Sequence, residues 1–306
     1  MDLRIIQRDD IEKNKWNGCV HYASNSKIYG FTWYLDNVSE NWFGIIEGDY
    51  ESVFPIVWDR SMKLGKHIYQ PHLCQQLGLF SVHLISQGRL QAFLEMIPSD
   101  LKNWQFSLND GNKAIQKLSG YTYTERDNYH LYLNKRYEEI SSAYSENTRR
   151  NIKKGAKKGL YLTSNIKPED FVDAVKKAQE QKGMHHPDSL YHTAHRIIYN
   201  CLHRGIGHLL TASNQQKEVV AGVFLMDNGA AIVNLLNFST EEGKQSGAMA
   251  YLMDMVIQRQ SNKHKYIDFE GSSIPGIARF YKSFGAERIP YYQLVQKQTL
   301  LAKWFT

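Results

Sequence analysis

Asp268 and Glu270 close the alternating run Tyr266-Ile267-Asp268-Phe269-Glu270, and a carboxylate at a strand end can take a proton from an amine, directly or through water. Alternation puts Ile267 and Phe269 on one face and Tyr266, Asp268 and Glu270 on the other, so both carboxylates are expected to face away from the core. A second chemically capable set is basic: six of the ten residues 149–158 are Arg149, Arg150, Lys153, Lys154, Lys157 and Lys158. On a helix capped by Ser145 and stopped by Gly159 they take about half of the circumference and leave Ile152, Gly155 and Ala156 for the other side. That face is either a solvated surface or a platform for the phosphates of a nucleotide, a tRNA acceptor stem or a lipid-linked precursor. A third set is Gly243, Lys244, Gln245, Ser246, Gly247 and Ala248, small and polar residues just where a helix begins. Exposed N–H groups there could hold a pyrophosphate or a carboxylate, unless the stretch is a plain helix start with Gly243 in a turn.

Histidines raise a metal hypothesis. Six of the twelve lie within residues 185–208, and His192 and His195 share a helix face. No HExxH motif, paired cysteines or carboxylate in ligand register accompanies them, so no metal site is expected.

The elements that must position these groups read clearly in the second half. Residues 161–163 form a strand, 167–177 and 190–203 helices, 208–212 and 219–226 a hairpin, 231–238 a strand, and 248–260 a long helix. After the strand at 266–270, Gly271 breaks the run, Ser272 or Ser273 can cap, and Pro275 suits a first helical turn. Ile277, Phe280, Tyr281 and Phe284 then make one apolar stripe that ends at Gly285, and residues 291–296 close the half as a strand. The first half has the same order: a strand at 3–6, a helical region after Asp10, strands at 42–46 and 53–58 joined as a hairpin, a helix at 90–96, a strand at 104–108, a helix at 113–118 and a strand at 129–133. Strands mixed with helices in this order imply an α/β architecture with two mixed sheets.

At 306 residues the chain is long enough for about two domains. The longest apolar runs fall far short of a membrane span, and the charged N-terminus lacks a secretory apolar core, so cytoplasmic residence is expected. Cys19, Cys74 and Cys201 are odd in number and far apart, which reads as reduced, buried thiols. The formal charge of +6 is modest, and its concentration at 149–158 matters more than its sum.

The unit at 266–287 resembles the closing segment of the GNAT-type acyltransferases, whose strand leads to a helix with an F-Y-x-x-x-G pattern; here that is Phe280-Tyr281-Lys282-Ser283-Phe284-Gly285. The same phrase looks like the F-K-x-x-F of the Fem peptidoglycan bridge transferases, tandem GNAT-fold proteins that use aminoacyl-tRNA. The segment Ser145-Glu146-Asn147-Thr148-Arg149-Arg150-Asn151-Ile152-Lys153-Lys154 is similar to the R-R-N-I-x-K entry into the second Fem half, and Asn128-Tyr129-His130-Leu131-Tyr132-Leu133 to the strand closing the first. The resemblance implies two tandem GNAT-like domains, each a mixed, mostly antiparallel sheet flanked by helices: 1–137 with a degenerate donor site, a basic connecting helix at 138–160, and 161–306 with the active site. It nominates Tyr281 to protonate the leaving group, Lys282 to supply positive charge, and the strand around Leu235, Leu236 and Asn237 to hold the oxyanion and the donor. It also implies acyl-coenzyme A or aminoacyl-tRNA as donor and an amine on a cell-envelope precursor or small metabolite as acceptor. The GNAT donor pattern Q/R-x-x-G-x-G/A is met only at Gly247, with Lys244 and Met249 replacing the other two positions. An acyl-coenzyme A N-acetyltransferase and a non-catalytic module binding nucleic acid or another anion are the alternatives. The sequence sets no oligomeric state.

Overall fold

A computed structural model describes residues 1–63, 65–263, 265–271 and 275–296. The chain forms two units, one from Met1–Arg126 with the segment after Ile289, the other Asp127–Ile289.

In the first unit, β1 (Leu3–Gln7), β2 (Trp42–Glu47) and β3 (Ser52–Ser61) form an antiparallel meander, with α1 (Lys13–Tyr22) and α2 (Thr32–Val38) between β1 and β2. β4 (Gly65–Tyr69) pairs antiparallel with β3, and β5 (Phe80–Ser81) pairs its start. After α3 (Gln87–Glu95), β6 (Lys102–Leu108) lies parallel to β4. The core is aromatic: Phe43, Phe54, Phe93, Trp104 and Phe106 are buried together. Residues 113–117 form a 3-10 helix where a helix to 118 was expected.

β7 (Tyr121–Tyr132) starts eight residues earlier than the expected strand at 129, because its first half alternates polar residues with little apolar signal. Its last residues open the second unit, followed by α4 (Tyr137–Ser142), α5 (Glu146–Lys157), β8 (Tyr161–Thr163), α6 (Pro168–Glu180) and α7 (Asp188–His203). Then come β9 (Gly207–Ser213), β10 (Val219–Asp227), β11 (Ala231–Ser239), α8 (Glu241–Ser246), α9 (Ala248–Gln260), β12 (Tyr266–Asp268), α10 (Pro275–Lys282) and β13 (Glu287–Gln296). The strand order is β7, β12, β11, β10, β9, β8, antiparallel throughout except for β11 beside β12. Residues 291–296 do not close this unit: Tyr292 pairs with Leu108 and Leu294 with Phe106, and both side chains are buried in the first unit's core.

One face of the second sheet is covered by α6, where Phe171 meets Phe238 of β11 edge-on at 5.4 Å. On the other face α9 and α10 bury Leu252, Met253, Val256, Tyr281 and Phe284 against Val223, Leu225, Ile232, Ile267 and Phe269. The expected apolar stripe of α10 is therefore real. α5 lies close along α9: a Cβ on Gly155 would come within 2.8 Å of the Tyr251 Cβ, so this crossing requires glycine. Ala156, expected on the inner side of α5, is exposed instead.

Two irregularities make an opening in this sheet. The parallel β11–β12 pairing ends at Val233 opposite Asp268, while β11 runs on to Ser239. In β11 a bulge interrupts the ladder, so that Phe224 faces Leu236 and Leu225 faces Asn234, leaving Leu235 extra. Asn234 and Asn237 are three apart and would point to opposite faces of a regular strand. Across the bulge they oppose Leu225 and Val223, so both face the α9 and α10 side.

Candidate active site

At the end of β12, Asp268 is fully buried, on the sheet face opposite its neighbours Ile267 and Phe269. The alternation was read correctly, but this face is covered by Asn128 and His130 of β7, so Asp268 does not face solvent. Its Oδ1 accepts from Asn128 Nδ2 and from the Glu270 amide, both at 2.9 Å, and its Oδ2 lies 3.3 Å from His130 Nε2. His130 stacks on Tyr266 with ring centroids 4.2 Å apart. Asp268 thus acts on the turn after the strand. Glu270 there has φ +55° and Gly271 φ +51°, and a Cβ on Gly271 would fall 1.9 Å from the Asp127 carbonyl oxygen. A glutamate in the left-handed region is strained, and the Asp268 bond to its amide helps hold it. The caps proposed at Ser272 and Ser273 lie outside the described residues.

Tyr281 is the centre of the other face. Its ring stacks on Phe269 at 4.5 Å and 18°, and its hydroxyl lies near the Asn237 side chain. Burial pushes the phenol well above its ordinary value, the negative charge of Glu270 adds to that, the Asn237 side chain offsets part of it, and Asp268 contributes a smaller rise. The phenol therefore keeps its proton at neutral pH and above. Lys282, the next residue, is exposed, with Nζ 5.4 Å from the Tyr129 ring centroid. Asn234 is 4% exposed, and its Oδ1 is buried with no hydrogen-bond partner among the described residues. An unsatisfied acceptor beside an unpaired strand segment can bind a donor group of a substrate. Leu235 and Leu236 are buried, and only Asn237 of the three nominated strand residues is exposed.

The stretch expected as an open anion loop is the short helix α8. Thr240 caps it, its Oγ1 accepting from the Gly243 amide at 3.0 Å, with Glu241 and Glu242 in the first turn. The small residues serve packing. A Cβ on Gly243 would meet the Val220 carbonyl oxygen at 2.0 Å, and one on Gly247, at φ +75°, the Asn151 carbonyl at 2.6 Å. Ser246 and Ala248 are buried, Gln245 is exposed, and exposed Lys244 pairs with Glu241. The geometry of a glycine-rich phosphate loop is absent from residues 241–247.

The basic run is the outer face of α5, capped by Ser145, whose Oγ accepts from the Thr148 amide at 3.1 Å. Arg149, Arg150, Lys153, Lys154, Lys157 and Lys158 line a concave surface of about 620 Å3. Arg149 donates to the Ser142 carbonyl and Arg150 to Asn147 Oδ1, and among the described residues none of the six pairs with a carboxylate. The start of this helix is fastened to the end of α10: the Ser145 amide donates to the Ser283 carbonyl at 2.8 Å, and Thr148 Oγ1 to Ser283 Oγ at 2.6 Å. Sequence reasoning nominated both Tyr281 and the basic face but not this link.

All three cysteines are free and buried, as expected, and burial pushes the Cys19 and Cys201 thiols up to about 12, far from a nucleophilic thiolate. Among the described residues no three His, Cys, Asp or Glu side chains gather closely enough to hold a metal. No described helix is long and apolar enough to cross a membrane. Sequence reasoning gave no role to the side chains of Asn128, His130 and Asn234; a polar-apolar alternation in 128–131 was visible, but their partners are set by strand pairing distant in sequence.

No protein-family model and no curated protein sequence matches this chain. Solved structures do match its fold. FemX superposes with a TM-score of 0.73 at 14% identity, over 95% of this chain and 97% of that one. L-PGS from Bacillus licheniformis gives 0.56 at 10% identity, covering 95% and 94%. The C-terminal domain of a protein assigned as a lysylphosphatidylglycerol synthetase from Agrobacterium fabrum gives 0.55 at 11%, covering 93% and 91%. The chain has the fold of FemX and of these synthetase structures.

Proposed function

We propose that this chain is an acyltransferase that moves an aminoacyl group from a phosphate-rich donor, an aminoacyl-tRNA, to an amine. The observation that carries the reading is the protonated Tyr281 phenol, near Asn237 of β11 in the stretch that runs on past β12, with Glu270 close enough to act on it. Acyl transfer to an amine needs a neutral amine, a stabilised oxyanion and a proton for the leaving group. Glu270 takes the amine proton, directly or through water. The backbone of residues 234–237 on the side without a partner strand receives the tetrahedral oxyanion, with Asn234 Oδ1 available to orient a donor group. Tyr281 gives its proton to the departing ribose oxygen, and Lys282 meets nearby phosphate charge. Asp268 positions Glu270 and does not itself touch substrate.

Aminoacyl-tRNA is favoured over acyl-coenzyme A on two observations. Residues 243–247 are packed as a helix rather than open around a pyrophosphate, and the unpaired cations of α5 end at the helix that carries Tyr281. The likeness to a protein assigned as a lysylphosphatidylglycerol synthetase, whose named product is a lipid carrying a lysyl group, agrees with an aminoacyl donor and with a cell-envelope acceptor. The two units divide at Asp127, with the basic helix inside the second and the segment from Pro290 in the first, and not at the expected boundaries of 137 and 161. The test is retention of charged tRNA by the purified protein, with and without Arg149→Ala and Arg150→Ala. Salt-sensitive retention lost in the double variant supports it. Saturable coenzyme A binding with no tRNA retention would move the donor to the alternative.

A further inference from the structure

A groove of about 920 Å3 lies on the sheet face away from Tyr281, between α6 and the ends of β8, β9, β10 and β11. Its separation from the Tyr281 site follows from the strands: Phe238 lines it and packs on Phe171 of α6, whereas the adjacent Asn237 points through the opposite face to Tyr281. The volume is that of a small-molecule site, and the floor of Val220, Phe238 and Ala178 is apolar and buried. Four carboxylates line its walls, Asp170, Glu218, Glu241 and Glu242, against Lys177 and Lys217.

Glu218 and Glu242 set the chemistry. They come from different elements, yet Glu218 Oε2 at 2.9 Å and Glu242 Oε1 at 3.0 Å accept from the same Nδ2 of buried Asn214. Two oxygens that close to one nitrogen are within about 6 Å of each other, a distance at which like charges repel appreciably near a protein surface. A neutral amide does not cancel that repulsion, and among the described residues neither carboxylate pairs with a Lys or Arg. Asn214 is itself fixed, its Oδ1 accepting from the amides of Gln216 and Glu218, and it draws together the two carboxylates, which are exposed along the groove. An alkylammonium satisfies both carboxylates, and its methylene stem suits the apolar floor.

We propose that this groove is a second small-molecule site, separate from the transfer chemistry, that binds an alkyl diamine or polyamine with one ammonium between Glu218 and Glu242. The site does not depend on the transferase reading.

Calorimetric titration of the full chain with spermidine and putrescine tests it, with butanediol and succinate as neutral and anionic controls. Saturable spermidine binding that weakens at least tenfold in Glu218→Gln with Glu242→Gln, and is unchanged in Tyr281→Phe, is expected. Both glutamines keep an oxygen for Asn214, so the fold should persist, and matched melting temperatures check this. A second variant, Ala174→Trp, fills the groove from α6 and should abolish binding. Absence of saturable binding, equal affinity for butanediol or succinate, or an affinity lost in Glu270→Gln but not in the Glu218 and Glu242 pair would overturn the proposal.

Discussion

Tyr281 and Asp268 show how two candidate catalytic side chains are separated by burial. Both are nearly inaccessible, but Tyr281 has its hydroxyl near Asn237, whereas Asp268 Oδ1 is held by Asn128 and the Glu270 amide, with His130 Nε2 3.3 Å from Oδ2. Asp268→Ala leaves the buried Asn128 Nδ2 and the Glu270 amide without their acceptor, and should cost about 1–3 kcal/mol of stability. Chemical denaturation measures that loss, and an unchanged midpoint would contradict the positioning role. The phenol of Tyr281 is raised from 10.0, so a rate limited by its proton should hold on the alkaline side up to and beyond that value. A rate falling with a midpoint below it would assign the acid elsewhere. The sequence made Tyr281 legible through the i, i+3, i+4 stripe, but it could not show that residues of β7, about 140 positions away, cover Asp268.

At the level of elements, the reading from sequence succeeded where periodicity was strong and local. Helix 248–260 and the strands at 219–226 and 231–238 were legible to within a residue at each end. α8 was not, because Gly243 within it and Gly247 just after it resemble a turn; the stronger signals were Thr240 as cap and two acidic residues in the first turn. The bulge at Leu235 has no signature in a run of buried residues, yet it brings Asn234 and Asn237 to one face. Gly271 ties the turn to β7. Gly271→Ala combines a positive φ with a backbone clash, so about 2 kcal/mol or more of stability should be lost, together with transfer activity. Thr148→Val removes the hydroxyl bond to Ser283 at nearly constant volume and should cost about 1 kcal/mol, read by denaturant midpoint.

For the whole molecule, charge is the property to test. The formal net charge of +6 understates a surface on which six cations, along α5 and at its C-cap, have no carboxylate partner among the described residues. If these neutralise phosphates, tRNA affinity should fall steeply with salt, and removing Arg149 and Arg150 should reduce the log–log slope by about 1.5–2. The core carries a charge question of its own. Asp254 of α9 is 5% exposed, and Tyr137 donates to its Oδ1 at 2.8 Å. Burial raises its pKa above 3.8, with the Tyr137 bond and the nearby Tyr144 hydroxyl offsetting part of the rise. The folded state thus favours the neutral acid. Its stabilising contribution is full below 3.8 and is lost as pH rises through the raised value. Relative to Asp254→Asn, the unsubstituted protein should lose melting temperature as pH rises from 3.8 through the raised value; a difference independent of pH would contradict that environment.

The most direct measurement is the rate at which the protein releases amino acid from total charged tRNA to added amine acceptors, compared between the unsubstituted protein and Tyr281→Phe. The account predicts amine-dependent transfer that falls by about 10²–10⁴-fold in the variant, while retention of charged tRNA is unchanged. Transfer at an undiminished rate in Tyr281→Phe would contradict it.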